Sequence, residues 1–133
     1  SLGHVGYEEL RDQVAEQAIA LACGLTRGLP VFFRAQQARE FIRRPTRDLH
    51  GATVGIVGLG GNGRRMAEVL SVFKTRILAT DYFPFDKPAC VEKLWPPENL
   101  DELLAQVEFL FITAPLTSQT YHLFDARKLA LLI

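Results

Sequence analysis

Three glycines, Gly58, Gly60 and Gly63, stand in G-x-G-x-x-G spacing directly after the apolar run Thr53-Val54-Gly55-Ile56-Val57. That spacing suits one kind of chemistry, the holding of a dinucleotide by its phosphates. The first glycine permits a tight turn out of a strand. The second has no Cβ, so backbone can approach a pyrophosphate closely. The third lets a helix pack against the strand. A helix beginning there brings unpaired N–H groups and a positive dipole end to the phosphate. Asp81 follows Gly63 by 18 residues and closes a second β-type run, Arg76-Ile77-Leu78-Ala79-Thr80. A carboxylate at that distance accepts hydrogen bonds from the ribose hydroxyls of NAD and repels the extra phosphate of NADP. No Arg or Lys occurs between Asp81 and Lys87 to clamp such a phosphate. The expected cofactor is therefore NAD.

The elements that would position these residues follow from periodicity. Residues 7–27 read as a helix with Val14, Ala18, Leu21 and Leu25 on one face, almost wholly apolar from Ala18 to Leu25. Gly28-Leu29-Pro30 marks a bend, and a second helical pattern places Val31, Ala35, Ala38 and Ile42 on one face until Pro45 ends it. Its polar side carries Arg34, Arg39, Arg43 and Arg44, which read as a solvated helix end. After the glycine loop, Met66, Val69, Leu70 and Phe73 form the stripe of a helix. Residues 82–98 hold Pro84, Pro88, Pro96 and Pro97 and read as mostly irregular. Asn99 with Glu102 has capping-box spacing ahead of Leu100, Leu103, Leu104 and Val107. Phe109-Leu110-Phe111-Ile112-Thr113 reads as a third buried strand, and Asp125 as the cap of a last helix over 126–132. Strands alternating with helices predict an α/β fold, the first half of a Rossmann-type doubly wound parallel sheet of three strands, preceded by a helical segment.

Bulk properties limit the alternatives. The chain has 133 residues, 48% apolar and 23% charged, with zero net charge. Such a balance gives no electrostatic case for nucleic acid or an acidic membrane as partner. No apolar run reaches membrane-spanning length, and no signal peptide is evident. Cys23 and Cys90 are far apart and in no metal-like spacing, so thiols in a reducing, cytoplasmic compartment are expected and no metal site. No serine or cysteine nucleophile constellation appears. The chain opens on Ser1 and closes in the apolar run Leu129-Ala130-Leu131-Leu132-Ile133, and reads as truncated.

Several segments together resemble one family. Val14-Ala15-Glu16-Gln17-Ala18-Ile19-Ala20-Leu21, Gly51-Ala52-Thr53-Val54-Gly55-Ile56-Val57-Gly58-Leu59-Gly60, Leu100-Asp101-Glu102-Leu103-Leu104, and Ala114-Pro115-Leu116-Thr117 with Thr120 and His122-Leu123 are similar to segments of the D-isomer specific 2-hydroxyacid dehydrogenases. The resemblance implies an NAD-linked interconversion of a 2-oxo acid and a D-2-hydroxy acid. It also implies a homodimer built through nucleotide-binding domains, with the early helix contributing. Residues 1–48 would be a helical segment packing on, or exchanged with, that domain. Residues 49–133 would be its N-terminal half.

Residue by residue, Gly58, Gly60 and Gly63 match the phosphate loop, and Gly61 and Asn62 the positions whose backbone faces the pyrophosphate. Asp81 matches the ribose acid. Ala114, Pro115 and Thr120 match the loop lining the dinucleotide cleft. Many family members have Arg-Ile where this chain has Gly61-Asn62, so an arginine side chain is lost, for which Arg64 or Arg65 is the candidate replacement. The family's catalytic arginine, acid and histidine match nothing in these residues, and the chain alone is expected to be inactive. His122 reads as structural, and His4 and His50 as exposed. The same scaffold also serves NAD-sensing co-repressors, the alternative reading, and a glycine loop can serve S-adenosylmethionine. With its second half missing, the first strand is expected to present an unpaired edge and the chain to self-associate.

Overall fold

The computed structural model describes residues 2–84 and 86–132, with side chains from residue 10 onward. The side chain of His4 and the chain end at Ile133 lie outside the described residues. Four short strands, β1 (Thr53–Val57), β2 (Arg76–Thr80), β3 (Val91–Trp95) and β4 (Phe109–Ile112), form one sheet in the order β3-β2-β1-β4. Every pairing is parallel. Among the described residues five α-helices accompany them: α1 (Leu2–Thr26), α2 (Leu29–Gln37), α3 (Gly61–Ser71), α4 (Leu100–Leu104) and α5 (Ala126–Leu129).

Period-two alternation splits the sheet into two apolar faces. Val54, Ile56, Ile77, Ala79 and Val91 join Met66, Ala67 and Leu70 of α3 and Ala22 of α1 in one core. Val57, Leu78 and Trp95 point the other way, onto Leu100, Leu103 and Leu104 of α4 and Val107. A fully buried leucine contributes roughly 2 kcal/mol relative to exposure, so α4, although short, holds its place through its three buried leucines. It also lies very close to β1. A Cβ on Gly55 would come within 2.7 Å of Leu103 Cδ2.

The sheet holds four strands where three were expected. The additional strand, β3, falls within residues 82–98, read from sequence as irregular. It is an edge strand, pairing only with β2, and only Val91 and Trp95 are buried. Glu92 and Lys93 face outward, Glu92 pairing with Arg76 at 2.5 Å and Lys93 lying 4.7 Å from the Trp95 ring centroid. The segment Phe109–Ile112 is thus the fourth strand, and it pairs with β1 from Val54↔Phe109 to Val57↔Ile112. The expected unpaired edge on β1 does not exist, because β1 is central.

Two local readings also change, those of the end of α2 and of Asn99, and the packing of α1 becomes visible. α1 packs on α3 through Ala15 and Ala22, both buried, while Leu21 is 61% and Leu25 70% exposed. Small residues face inward because two helix backbones approach there, and the leucines are left on an apolar groove of about 780 Å³ beside β4. α2 stops at Gln37, well before Pro45. Arg39 adopts φ 57°, its N–H donates to the Gln36 carbonyl, and the Glu40 N–H donates to the Ala35 carbonyl, closing a Schellman motif. Asn99 ends a 3₁₀ turn (Pro97–Asn99) that runs straight into α4. Its side-chain amide donates to Glu102 Oε1 at 2.9 Å, so the two side chains meet without forming a capping box.

Asp125 does cap α5, accepting the Lys128 N–H at 2.9 Å. That hydrogen bond holds the Asp125 carboxyl below its ordinary range. The last helix is shorter than expected, ending at Leu129. No single helix among the described residues is long and apolar enough to cross a membrane, and α1 and α2 are bent by 65° at their junction.

Candidate functional site

The chain leaves β1, runs outward through β2 and β3 on one side, and returns as β4 on the other. The crevice outside the carboxyl ends of β1 and β4 is a topological switch point, where open α/β sheets bind ligands. The glycine loop sits there. Gly58 has φ +96°, and a Cβ on it would lie 2.7 Å from the Ala114 nitrogen. Conformation and close approach both demand glycine at this position. Gly63 faces back onto the loop, and a Cβ on it would fall inside the contact radius of the Gly58 carbonyl oxygen.

Gly60 differs from both. A Cβ on it would meet nothing within 4 Å. No neighbour within reach opposes a side chain there, so Gly60 presents an open face beside the start of α3. Gly60 also precedes α3 as its N-cap, and the first turn of α3 has no side-chain cap and no acidic residue. The Arg64 N–H donates to the Gly60 carbonyl, which begins the helical ladder. The backbone N–H groups of Gly61, Asn62 and Gly63 thereby remain available at the positive end of the helix dipole.

Asp81 stands just beyond the end of β2. Its N–H donates to the Trp95 carbonyl at 3.0 Å, so pairing with β3 fixes its backbone. Its Oδ1 accepts the Tyr82 N–H at 2.9 Å. Oδ2 has no hydrogen bond among the described residues. Gly58, Asp81, Ala114, Pro115 and Thr120 line one hollow of about 50 Å³ at the strand ends. Val57, Thr80, Tyr82, Pro97, Leu100 and Leu123 complete its wall. Thr120 braces its own loop, its hydroxyl donating to the Pro115 carbonyl at 2.6 Å and accepting the Thr117 N–H at 2.7 Å. Gly60, Gly61, Asn62 and Gly63 are not among the residues that line this hollow and lie at the start of α3.

Two residues at the site escaped the sequence reading. Thr113 donates its hydroxyl to the Gly58 carbonyl at 2.5 Å and so ties the end of β4 to the glycine turn. A hydroxyl ending an otherwise apolar strand was its visible signal. Arg11 of α1 lies against Gly61, a tertiary contact with no local sequence signature. The arginines expected to serve a phosphate are both engaged. Arg65 bonds Asp12 at 2.6 Å and Glu68 at 2.8 Å, and these carboxylates hold its guanidinium firmly charged. Arg64 Nε donates to the Leu59 carbonyl at 3.1 Å. His50 and His122 are exposed, and His122 stacks on Tyr121 with ring centroids 4.0 Å apart.

This geometry fits the pyrophosphate and ribose of a dinucleotide, and relatives of the chain agree. Residues 19–133 match the family described as "D-isomer specific 2-hydroxyacid dehydrogenase, NAD binding domain". A glyoxylate reductase of Pyrococcus horikoshii is 31% identical over 134 aligned positions, covering 92% of this chain and 39% of the relative. A D-3-phosphoglycerate dehydrogenase of Mycobacterium bovis is 32% identical, covering 87% of this chain and 22% of the relative. Among solved structures, a glycerate dehydrogenase related protein from Thermoplasma acidophilum superposes with a TM-score of 0.83 at 30% identity, over 92% of this chain and 42% of that one. The chain thus spans well under half the length of these relatives. From the loop geometry and these matches together, the chain belongs to the NAD-binding domain family of the D-isomer specific 2-hydroxyacid dehydrogenases.

Proposed function

We propose that this chain is the cofactor-binding portion of an oxidoreductase that interconverts a 2-oxo acid and a D-2-hydroxy acid. The observation that carries the reading is Gly60, whose open face has no structural reason to lack a side chain. The N–H groups of Gly61, Asn62 and Gly63 would bind the pyrophosphate, Gly58 and Gly63 setting the turn that aims them. Asp81 Oδ2 would accept hydrogen bonds from the adenosine ribose, and its charge would exclude a phosphate there. Ala114, Pro115 and Thr120 would form the opposite wall of the cleft. When bound, NAD supplies hydride transfer at its nicotinamide. Residues 49–133 are assigned to one half of the nucleotide-binding domain and residues 1–48 to the helical segment packed on it.

Names of the relatives, glyoxylate reductase among them, support a small 2-oxo acid as substrate. The test is spectrophotometric. NADH should be oxidised by the protein, in the length its cell makes it, when glyoxylate or another 2-oxo acid is added. NADH left untouched by a panel of 2-oxo acids would defeat the reading.

The partner expected on the apolar side is a second copy of the chain. Leu21 and Leu25 of α1, with Phe33 of α2 and the 88% exposed Phe41 after it, leave much apolar surface uncovered. Light scattering should give the mass of a dimer, and a monodisperse monomer would count against the pairing. Cys23 and Cys90 are free thiols, which supports a reducing, cytoplasmic setting.

A further inference from the structure

Gly61, the first residue of α3, is a glycine for a reason different from its neighbours. Its φ is not positive, so backbone conformation does not require it. A Cβ built there would lie 2.6 Å from both Cζ and Nη2 of Arg11, with Nε closer still. Three guanidinium atoms this close mean that the Arg11 group occupies the space a side chain at 61 would take. Arg11 arrives from α1, which packs along α3.

The charges around it are uneven. Asp12 and Glu68 are both bonded to Arg65, and Arg64 is turned onto the Leu59 carbonyl. Arg11 enters no ion pair among the described side chains. A cation is therefore held at the positive end of a helix dipole, without a carboxylate in the first turn to offset it. An anion bound at the loop reverses the sign of that arrangement. Guanidinium is also the side-chain group best matched to phosphate oxygens, which it can bond in pairs.

We propose that Arg11 is a cofactor-binding residue: its guanidinium reaches over Gly61 to the pyrophosphate, and glycine at 61 leaves the space in which it sits. The inference rests on the dinucleotide reading above and adds to it a ligand from outside the loop. A side chain at 61 and the guanidinium of Arg11 compete for one volume, so the two positions act as a pair.

The test is a titration of wild type, Arg11→Ala, Gly61→Ala and the double variant with NAD, ADP-ribose and adenosine. Arg11→Ala should weaken NAD and ADP-ribose about tenfold, the size of one charge-assisted hydrogen bond at a partly exposed site. Adenosine, which lacks phosphate, should bind as before. Gly61→Ala should displace the flexible guanidinium and weaken NAD similarly, and the double variant should be no worse than either single one. Arg11→Ala binding NAD like wild type overturns the inference. So does an equal loss for adenosine, which would place the effect on the fold. Wild type failing to bind NAD would instead remove the dinucleotide reading, and this inference with it.

Discussion

Gly63→Ala is expected to destabilise the protein by about 3 kcal/mol, the upper range for overpacking a rigid site, and to abolish NAD binding with it. The new methyl group would meet the Gly58 carbonyl oxygen, with Thr113 Oγ1 at 3.0 Å and the Gly58 carbonyl carbon at 3.1 Å behind it. None of these is the free end of a flexible side chain. Gly58 is held by its own N–H donating to the Thr80 carbonyl at 2.9 Å, and Thr113 by its bond to Gly58. Relief requires α3 to lift from β1, which opens the core around Met66, Ala67 and Leu70. Gly60→Ala is the control that separates stability from binding. Its φ of −75° suits alanine and its surroundings are empty, so unfolding in urea should shift by no more than about 0.5 kcal/mol. NAD affinity should nevertheless fall tenfold or more. A Gly60→Ala protein that binds NAD normally would contradict the assignment of that open face to the pyrophosphate.

The second large effect is on cofactor choice. Asp81→Asn keeps an acceptor for the Tyr82 N–H, so the turn after β2 should hold its shape. It removes the charge that would face the extra phosphate of NADP. Hydrogen bonds to a charged group contribute about 1.5–3 kcal/mol, so NAD should weaken by roughly tenfold or more. NADP gains from the lost repulsion, and the ratio of the two dissociation constants should move toward NADP by at least about tenfold. Calorimetry on both proteins measures the ratio directly. An unchanged ratio would mean that Asp81 is only the anchor of its own turn.

What could be read from the chain, and what could not, follows from where the information lies. The glycine loop was legible because its three positions answer to backbone geometry, which tolerates few residue types. Asp81 was legible because it closes an apolar strand at a fixed distance from that loop. β3 was hidden by its position at the sheet edge, where only Val91 and Trp95 needed to be apolar and prolines stand on both sides. Val14, Ala18, Leu21 and Leu25 of α1 do share one face, but it is Ala15 and Ala22 that are buried, and close helix packing of that kind leaves no apolar pattern to read. The end of α2 was missed because Arg39, with no glycine, takes the left-handed turn. Arg11 could not be found at all, since its meaning depends on a contact with Gly61 across two helices.

The most direct test of the central claim is calorimetric titration of residues 1–133 with NAD, NADP and ADP-ribose. NAD and ADP-ribose should bind at one site per chain, with NADP much weaker. No heat of binding from any of the three, or NADP binding as tightly as NAD, would contradict the account of the loop and of Asp81.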